Sequence, residues 1–220
     1  MLRVSYLSIA LTCAVLSLAG CGGGDDGPPP SFTTQILSDP GFDGDIEQTS
    51  ATTFNIVQGM SPTVQSVFAG IDPVAGTEFR AFLDFPLTGP QGVPADAIID
   101  SAFLEIYVDS LTPISGSLPI LIDLVSFEPP TLIGTDFDRT VQPPIASVRI
   151  TPNISSADVG TYVPIDVTAL MNQAQRLGLS DFQVRIMEDL GPPIATLMEI
   201  DDTTGSARSA RAPLLTVTYF

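Results

Sequence analysis

The chain of 220 residues contains no histidine and no tryptophan, and all eight of its basic residues are arginine. The absence of histidine excludes an imidazole base, a Ser-His-Asp or Cys-His nucleophile pair, and histidine-ligated zinc. The absence of lysine excludes a Schiff base and a phosphate-binding P-loop. Because these common catalytic groups are missing, we expect a protein that is not an enzyme.

Positive charge is also scarce, since 25 acidic residues stand against 8 basic ones and the formal net charge is −17. A chain this acidic is repelled by phosphate backbones, so we expect no nucleic-acid partner. The acidity itself has two interpretations. It keeps an exposed domain soluble, and it also attracts divalent cations.

The amino-terminal segment has the organisation of a secretory signal. Arg3 supplies one positive charge, and the apolar stretch Val4–Ala19 follows it. This stretch is shorter than the roughly 20 apolar residues that a membrane-spanning helix needs. It therefore predicts a signal peptide that is removed from the mature protein.

The end of this segment, Leu18-Ala19-Gly20-Cys21, resembles the lipobox of bacterial lipoproteins. The resemblance implies cleavage before Cys21, which then carries a diacylglycerol and an N-acyl chain such as palmitate. Several acyl chains on one residue form a stable membrane anchor, whereas one chain alone binds only marginally. By the same resemblance, Gly22 favours the outer membrane of a Gram-negative bacterium. We expect a lipoprotein of the cell envelope that contacts the membrane through the acyl chains on Cys21.

Composition divides the chain into three parts. Residues 1–20 are the predicted signal peptide, and residues 21–31 join the acylated cysteine to a linker of glycine, aspartate and proline, which stays solvated. No second linker and no internal repeat follows, so residues 32–220 are predicted to form a single β-sandwich domain. Cys13 is lost with the signal peptide, which leaves one cysteine and excludes a disulfide within the monomer.

Beyond residue 32, apolar and polar residues alternate with the period of a β-strand. In Glu78–Phe85, for example, Phe79, Ala81, Leu83 and Phe85 share one face. The other predicted strands are Thr53–Val57, Ser66–Ile71, Ala102–Val108, Leu118–Phe127, Ala146–Ile150, Tyr162–Val167, Phe182–Met187, Ala195–Ile200 and Leu214–Tyr219. Short strands separated by turn residues predict an all-β fold, an antiparallel jelly-roll-like β-sandwich.

One short helix is predicted, at about residues 168–177. Its apolar residues Leu170, Ala174 and Leu177 recur at the spacing of one helix face. Gly178 follows directly and suits a C-terminal cap.

Four segments occur in an order that is typical of one group of secreted proteins. They are the strands Arg80–Pro86 and Ile98–Ile106, the segment Pro164–Thr168 ahead of the helix, and the terminal strand Ala212–Tyr219. This order, over about residues 40–220, resembles DNRLRE-type domains, which are jelly-roll sandwiches related to some carbohydrate-binding modules. The resemblance implies that fold and a surface location, and it implies sugar binding only loosely, because one fold hosts many functions. Members commonly carry tryptophan, which this chain lacks.

Aspartates are concentrated in three segments between strands. Asp39, Asp43 and Asp45 form the densest group, and others follow at residues 136–138 and 201–202. Calcium takes about six to eight oxygen ligands, which loops rich in aspartate supply, although none of these groups has the spacing of an EF-hand. Aspartate also stabilises tight turns by accepting hydrogen bonds from nearby backbone groups. No cofactor is required; if calcium binds, Asp39, Asp43 and Asp45 are its candidate ligands.

The aromatic residues of one predicted strand also have two interpretations. Phe103, Glu105 and Tyr107 share a strand face. That face is either an exposed platform for stacking on a sugar or the inner face of a sheet. Burial is the more common place for such rings, so the inner face is favoured.

Arg80 lies in the middle of an apolar strand, where an arginine needs a carboxylate partner. Asp84, on the same strand face, and Asp100 are the candidates. We expect this pair to be structural.

Together these observations predict a non-catalytic protein, anchored by lipid, whose β-sandwich binds an extracellular glycan or a cell-wall polymer. The alternative is a structural or adhesion scaffold that contacts another envelope protein. A glycosidase with a carboxylate pair is a remote third, because a chain with 25 acidic residues contains many such pairs.

Overall fold

The residues that the computed structural model describes are 29–59, 65–127, 131–189 and 194–220. The predicted signal peptide, Cys21 and most of the predicted linker lie outside them. Within these ranges, no helix is long and apolar enough to cross a membrane.

The described residues form fourteen strands, one ten-residue helix and two single helical turns. The strands are β1 (Phe32–Leu37), β2 (Gly44–Ser50), β3 (Thr53–Gln58), β4 (Ser66–Ile71), β5 (Glu78–Pro86), β6 (Ile99–Thr112), β7 (Ser117–Leu118), β8 (Ile120–Val125), β9 (Ala146–Arg149), β10 (Ile154–Ser155), β11 (Thr161–Asp166), β12 (Asp181–Glu188), β13 (Leu197–Asp201) and β14 (Leu214–Tyr219). The helix is α1 (Thr168–Leu177), and the turns are a 3₁₀ turn (Gly134–Phe137) and α2 (Arg208–Arg211).

All strand pairs among the described residues are antiparallel. Twelve strands form one sheet in the order β1-β14-β6-β13-β4-β5-β12-β8-β9, with β11 added to β6, β2 added to β5, and β3 added to β2. The strands β7 and β10 form a small separate pair. The large sheet curls on itself, which confirms the predicted all-β sandwich.

The core lies between the two layers of the curled sheet. Leu104, Ile106 and Val108 of β6 are fully buried, in one cluster with Leu83 of β5 and Val184 of β12. Burial of each such side chain contributes about 1.5–3 kcal/mol to folding.

The aromatic face of β6 points away from this core. Phe103 is exposed and Glu105 and Tyr107 are half-buried, while the residues between them fill the core. The interpretation of this face as an inner face is therefore wrong. Tyr107 packs edge-on against Tyr162 of β11, with 5.5 Å between ring centres, and the Arg211 guanidinium lies 5.1 Å from the centre of the Tyr107 ring. Alternation distinguishes the two faces of a strand but does not say which one is buried.

The predicted helix is α1, which confirms the helix at residues 168–177. Asp166 Oδ1 accepts a hydrogen bond from the N–H of the first helical residue at 2.9 Å. Gly178 ends the helix with a φ of 64°, the left-handed conformation that glycine adopts at low cost. Leu170 and Ala174 are buried against the sandwich, but Leu177 at the last turn is exposed.

The layer that contains β5, β12 and β8, which we call the second layer, is buried on both of its faces. On β5, Leu83 faces the main core, whereas Phe82 points the opposite way and is also fully buried. Residues 131–142, which we call the covering segment, lie over this outer face, beside the β2–β3 hairpin that extends the sheet from β5. The apolar cluster beneath them consists of Ile46, Phe82, Val125, Phe127, Leu132 and Phe137.

A fully buried arginine holds the covering segment on the second layer. Arg185 of β12 is 0% exposed, and its Nη2 donates to Asp123 Oδ2 of β8 at 2.8 Å. Other N–H groups of Arg185 donate to the carbonyl oxygens of Asp136 at 2.6 Å and Gln142 at 3.3 Å. Asp123 Oδ2 also accepts from Arg139 Nε at 2.9 Å. The pair is therefore compensated in charge and surrounded by hydrogen bonds, as a buried pair requires.

Arg80 has a different partner from the two that the sequence indicated. Its Nη2 lies 2.7 Å from Glu78 Oε1. Asp84 Oδ2 accepts instead from Gln183 Nε2 at 2.7 Å, and Asp100 is exposed. Residues four apart along a strand are separated by about 13 Å, too far for a direct ion pair, whereas residues two apart are neighbours on one face.

We expect the substitution Asp123→Ala to lower the free energy of unfolding by about 3–5 kcal/mol, because the Arg185 charge would stay buried without its main partner. The matched control is Asp189→Ala, which removes the partner of Arg149, a side chain that is 67% exposed. Its expected cost is at most about 1 kcal/mol. Urea unfolding measures both, and equal costs would contradict this account of the buried pair.

Candidate functional site

A cleft opens on the side of the sandwich where β2, β3, β4, β5 and β13 come together. Its volume is about 360 Å³. The residues that line it are Asp45, Asn55, Val57, Gln65, Ser66, Phe68, Phe79 and Glu199. We call it the Asp45–Glu199 cleft.

Strand alternation and one close backbone contact shape the wall of this cleft. Ser66 and Phe68 of β4 point outward because the residues that alternate with them are buried in the core. Glu199 points outward from β13 for the same reason. The two strands meet closely at Gly70, where φ is 117° and an added Cβ would lie 2.2 Å from the Thr196 carbonyl oxygen. Only glycine fits this position without strain.

Asp45 is the buried acid of the cleft. Asp45 is 3% exposed, and its carboxylate accepts a hydrogen bond from the Phe68 backbone N–H. Burial raises the pKa of Asp45 to about 7, although that N–H opposes the shift, and the nearby charge of Glu47 adds to it. Near neutral pH, Asp45 therefore exists in both forms, and the protonated form donates a hydrogen bond as well as accepting one.

Glu199 is held by two serine hydroxyls. Ser66 Oγ donates to Oε1 at 2.8 Å, and Ser110 Oγ of β6 donates to Oε2 at 2.8 Å. Because the two donors come from the strands on either side of β13, the carboxylate is fixed in one orientation at the cleft wall.

Aromatic and amide groups complete the cleft. The rings of Phe68 and Phe79 are 5.9 Å apart at their centres, with an interplanar angle of 59°. Asn55 Nδ2 donates to Glu47 Oε2 at a long 3.4 Å. The cleft therefore offers apolar ring surface beside carboxyl and amide groups, a combination that suits a ligand with both C–H faces and hydroxyls.

The three aspartates predicted as candidate calcium ligands lie in three different environments. Asp39 Oδ1 accepts a hydrogen bond from the Gly41 N–H at 2.8 Å, and this bond stabilises the turn that follows β1. Asp43 Oδ1 accepts from the Asp84 N–H at 2.8 Å, and Asp45 lies in the cleft. Within the described ranges, no group of three or more cysteine, aspartate and glutamate side chains is arranged to hold a metal ion. The calcium site stays a prediction.

The other two aspartate-rich segments also serve turns. The carboxylates of Asp136, Asp138 and Asp201 each accept a backbone N–H from a residue two or three positions away, at distances of 2.7–2.9 Å. These bonds account for Asp136, Asp138 and Asp201 without a ligand.

The sequence did not indicate that Asp43 and Asp202, from two different aspartate-rich segments, form a buried pair. Asp43 packs near Asp202, whose Oδ1 accepts from Arg208 Nη1 at 2.8 Å. Burial, followed by the charge of Asp202, raises the pKa of Asp43 well above its usual value. Asp43 Oδ2 accepts no hydrogen bond among the described residues, and Arg208 Nη2, which opposes the shift, lies 3.9 Å from it. The Asp202 N–H donates to the Gln65 carbonyl oxygen at 2.8 Å, which joins this pair to the cleft wall.

In comparisons with known proteins, no family model matches this chain, and no curated protein matches it either.

Asp45 makes stability depend on pH. Its pKa is about 7 in the folded protein against an ordinary value of 3.8, so the folded state binds the proton more tightly between these values. The contribution of Asp45 to the free energy of unfolding therefore falls as pH rises through this range. We expect Asp45→Asn to remove that fall and to change the slope between pH 5 and 7 by about 1 kcal/mol per pH unit.

The control for this measurement is Asp72→Asn. Two backbone N–H donors, from Ala75 and Val74, lower the pKa of Asp72. Its stabilising effect is therefore lost only as pH falls below the ordinary range, so the slope between pH 5 and 7 stays unchanged. Urea unfolding at several pH values measures both variants. An Asp45→Asn protein with the slope of the unsubstituted chain would contradict the raised pKa.

Proposed function

We propose that this protein is a non-catalytic, lipid-anchored protein of the cell envelope whose β-sandwich binds an extracellular glycan or cell-wall polymer in the Asp45–Glu199 cleft. The observation that carries the proposal is the pairing of the Phe68 and Phe79 rings with the carboxyl groups of Asp45 and Glu199 in one cleft of about 360 Å³. Ligand pockets have volumes of roughly 300–1,000 Å³, and this cleft is at the lower end of that range. It therefore suits a short stretch of a glycan chain.

Each group of the cleft has a counterpart on a sugar. The apolar C–H face of a pyranose packs on an aromatic ring, as at Phe68 or Phe79. Sugar hydroxyls donate to the carboxylate of Glu199, and a hydrogen bond to a charged group is stronger than one between neutral groups. Asn55 and protonated Asp45 supply donors for hydroxyl and ring oxygens.

The charge of the cleft selects among glycans. Of the residues described along its wall, two are acidic and none is an arginine. A uronic acid or a sulfated sugar would bring like charge against Glu199 and the ionised form of Asp45, at an energetic cost. Neutral glycans are therefore the proposed ligands.

The anchor is the second part of the proposal. It rests on the lipobox-like end of the predicted signal peptide and on the linker, and β1 begins at Phe32, directly after that linker. The proposed place is the outer membrane of a Gram-negative bacterium, with the acyl chains on Cys21 as the membrane contact. We also propose that residues 32–220 form a DNRLRE-type domain, similar to carbohydrate-binding modules. The β-sandwich is consistent with this assignment.

A glycosidase is the second candidate, and one observation favours it. Asp45, with a pKa of about 7, shares the cleft with Glu199. Glycosidases combine an acid whose pKa is raised by burial with a second carboxylate on the other side of the scissile bond. If the protein released sugar products from a glycan, and if Asp45→Asn abolished that release, the protein would be a glycosidase and not a binding protein.

Glycan binding is tested with the full chain in mild detergent on a panel of immobilised polysaccharides, with calcium and with a chelator. We expect retention by at least one neutral glycan. We expect Phe79→Ala and Glu199→Gln each to weaken that binding about tenfold or more, which corresponds to about 1.4 kcal/mol. A requirement for calcium would support the predicted cation site.

The matched control is Phe103→Ala, which removes an exposed ring from the outer face of β6 and should leave affinity unchanged. Retention that depends on Phe103 but not on Phe79 would move the site to that face. No retention under either condition would favour the scaffold that contacts another envelope protein.

The anchor predicts that Cys21→Ser moves the protein from the membrane fraction to the soluble fraction, because all acyl chains are attached through that thiol and its new amino terminus. Fractionation of cells followed by immunoblotting measures this. The control is Cys13→Ser, which changes the other cysteine of the chain and should leave the protein in membranes. A Cys21→Ser protein that stays in membranes would contradict the anchor.

A further inference from the structure

Three large apolar side chains are exposed at the end of the sandwich where β1 begins and β14 ends, and a tyrosine that packs against the core lies beside one of them. Phe32 is 56% exposed, Ile98 is 70% exposed and Phe220 is 37% exposed, and Tyr219 is half-buried. The rings of Phe32 and Tyr219 stack with 6.0 Å between their centres. Two backbone hydrogen bonds, of 3.0 and 3.2 Å, join Phe220 to Ile98. We call these four residues the end patch.

The composition of the end patch suits contact with lipid headgroups and the first part of the acyl chains. Phe32, Ile98 and Phe220 are wholly apolar side chains, and Tyr219 has a ring with one polar group. Tyrosine is enriched where a protein meets the boundary between membrane and water, and large apolar side chains such as phenylalanine insert into that boundary. Clustered exposure of large apolar groups marks an interaction surface, whereas isolated exposed groups do not.

The position of the end patch in the chain indicates what covers it. Phe32 is the first residue of β1 and is eleven residues after Cys21. Eleven residues span at most about 40 Å when fully extended, and a flexible chain of that length spans on average about 20 Å. Acyl chains on Cys21 would therefore keep the end patch close to the bilayer at high local concentration, so that even a weak contact is populated.

We propose that the end patch docks on the lipid bilayer that holds the acyl chains of Cys21, so that the sandwich stands on the membrane on its β1–β14 end. The inference rests on the acylation of Cys21 in the proposed function. It adds a second, direct contact between the folded domain and the membrane. Asp96 and Asp100, on either side of Ile98 in the sequence, make a zwitterionic surface the preferred one over an anionic surface.

This docking gives the protein a defined orientation. Strand β6 runs the length of the sandwich, since Ile99 pairs with Tyr219 beside the end patch and Thr112 pairs with Leu197 at the other end. Ser110, which donates to Glu199 in the cleft, is eleven residues along β6 from Ile99, a distance of about 35 Å. The Asp45–Glu199 cleft is therefore held far from the bilayer, where a glycan chain reaches it.

The test uses the absence of tryptophan from the chain. Phe32→Trp places a single fluorophore in the end patch. The control is Val74→Trp, at a residue 94% exposed in the turn between β4 and β5, at the opposite end of the sandwich. Each acylated full-length variant is reconstituted in phosphatidylcholine vesicles with and without bromine on the acyl chains, which quenches tryptophan only on close contact. Flotation of the vesicles reports the anchor separately.

We expect brominated vesicles to remove most of the emission of Phe32→Trp and to leave that of Val74→Trp unchanged. Addition of Ile98→Asp to Phe32→Trp should restore the emission, because it puts a charge in the docked surface. Equal quenching of both single variants, or quenching of neither in protein that floats with the vesicles, would overturn the docking and leave the anchor standing. A failure to float would overturn both, without bearing on glycan retention in detergent.

A blue shift of Phe32→Trp that increases with protein concentration and is insensitive to bromine would assign the end patch to contact with a second copy, and it would also overturn the docking.

Discussion

The buried ion pair between Arg185 and Asp123 is the contact on which the second layer of the sandwich depends. Removal of two charges from water costs several kcal/mol per ion, so the pair persists only because its hydrogen bonds are complete. These bonds reach from the sheet to the covering segment, and the Leu132 N–H of that segment donates to Gln58 Oε1 at 2.7 Å. Gln58 belongs to β3, which contributes Asn55 to the cleft. A continuous set of contacts therefore links the buried pair to the proposed binding site.

The two ends of the sandwich also differ in chemistry. Its membrane-facing end, in the proposed orientation, presents Phe32 and Ile98, while Asp45 and Glu199 lie toward the other end. This arrangement follows from one long strand, β6, of fourteen residues, which extends from one end to the other. A tether alone would let the domain rotate freely, whereas a second contact at its base fixes the direction in which the cleft opens.

Local periodicity was sufficient to predict most strands and the helix, because alternation and caps are properties of neighbouring residues. It failed at β2, which was not predicted as a strand: Asp45 was assigned to a segment between strands, but it lies on a strand that pairs with β5. It also failed to identify Arg185 as the buried arginine, since burial of the outer face depends on a covering segment that is distant in sequence. The pairing of Asp43 with Asp202 joins residues that no local pattern connects.

The measurement that tests this account most directly is amide hydrogen exchange on the Arg185→Gln variant. If the buried pair holds both the covering segment and the hairpin that forms part of the cleft, protection should fall together in residues 131–142 and in β2 and β3, while β6 and β14 keep theirs. Loss of protection confined to residues 131–142, with β2 and β3 unchanged, would contradict the account.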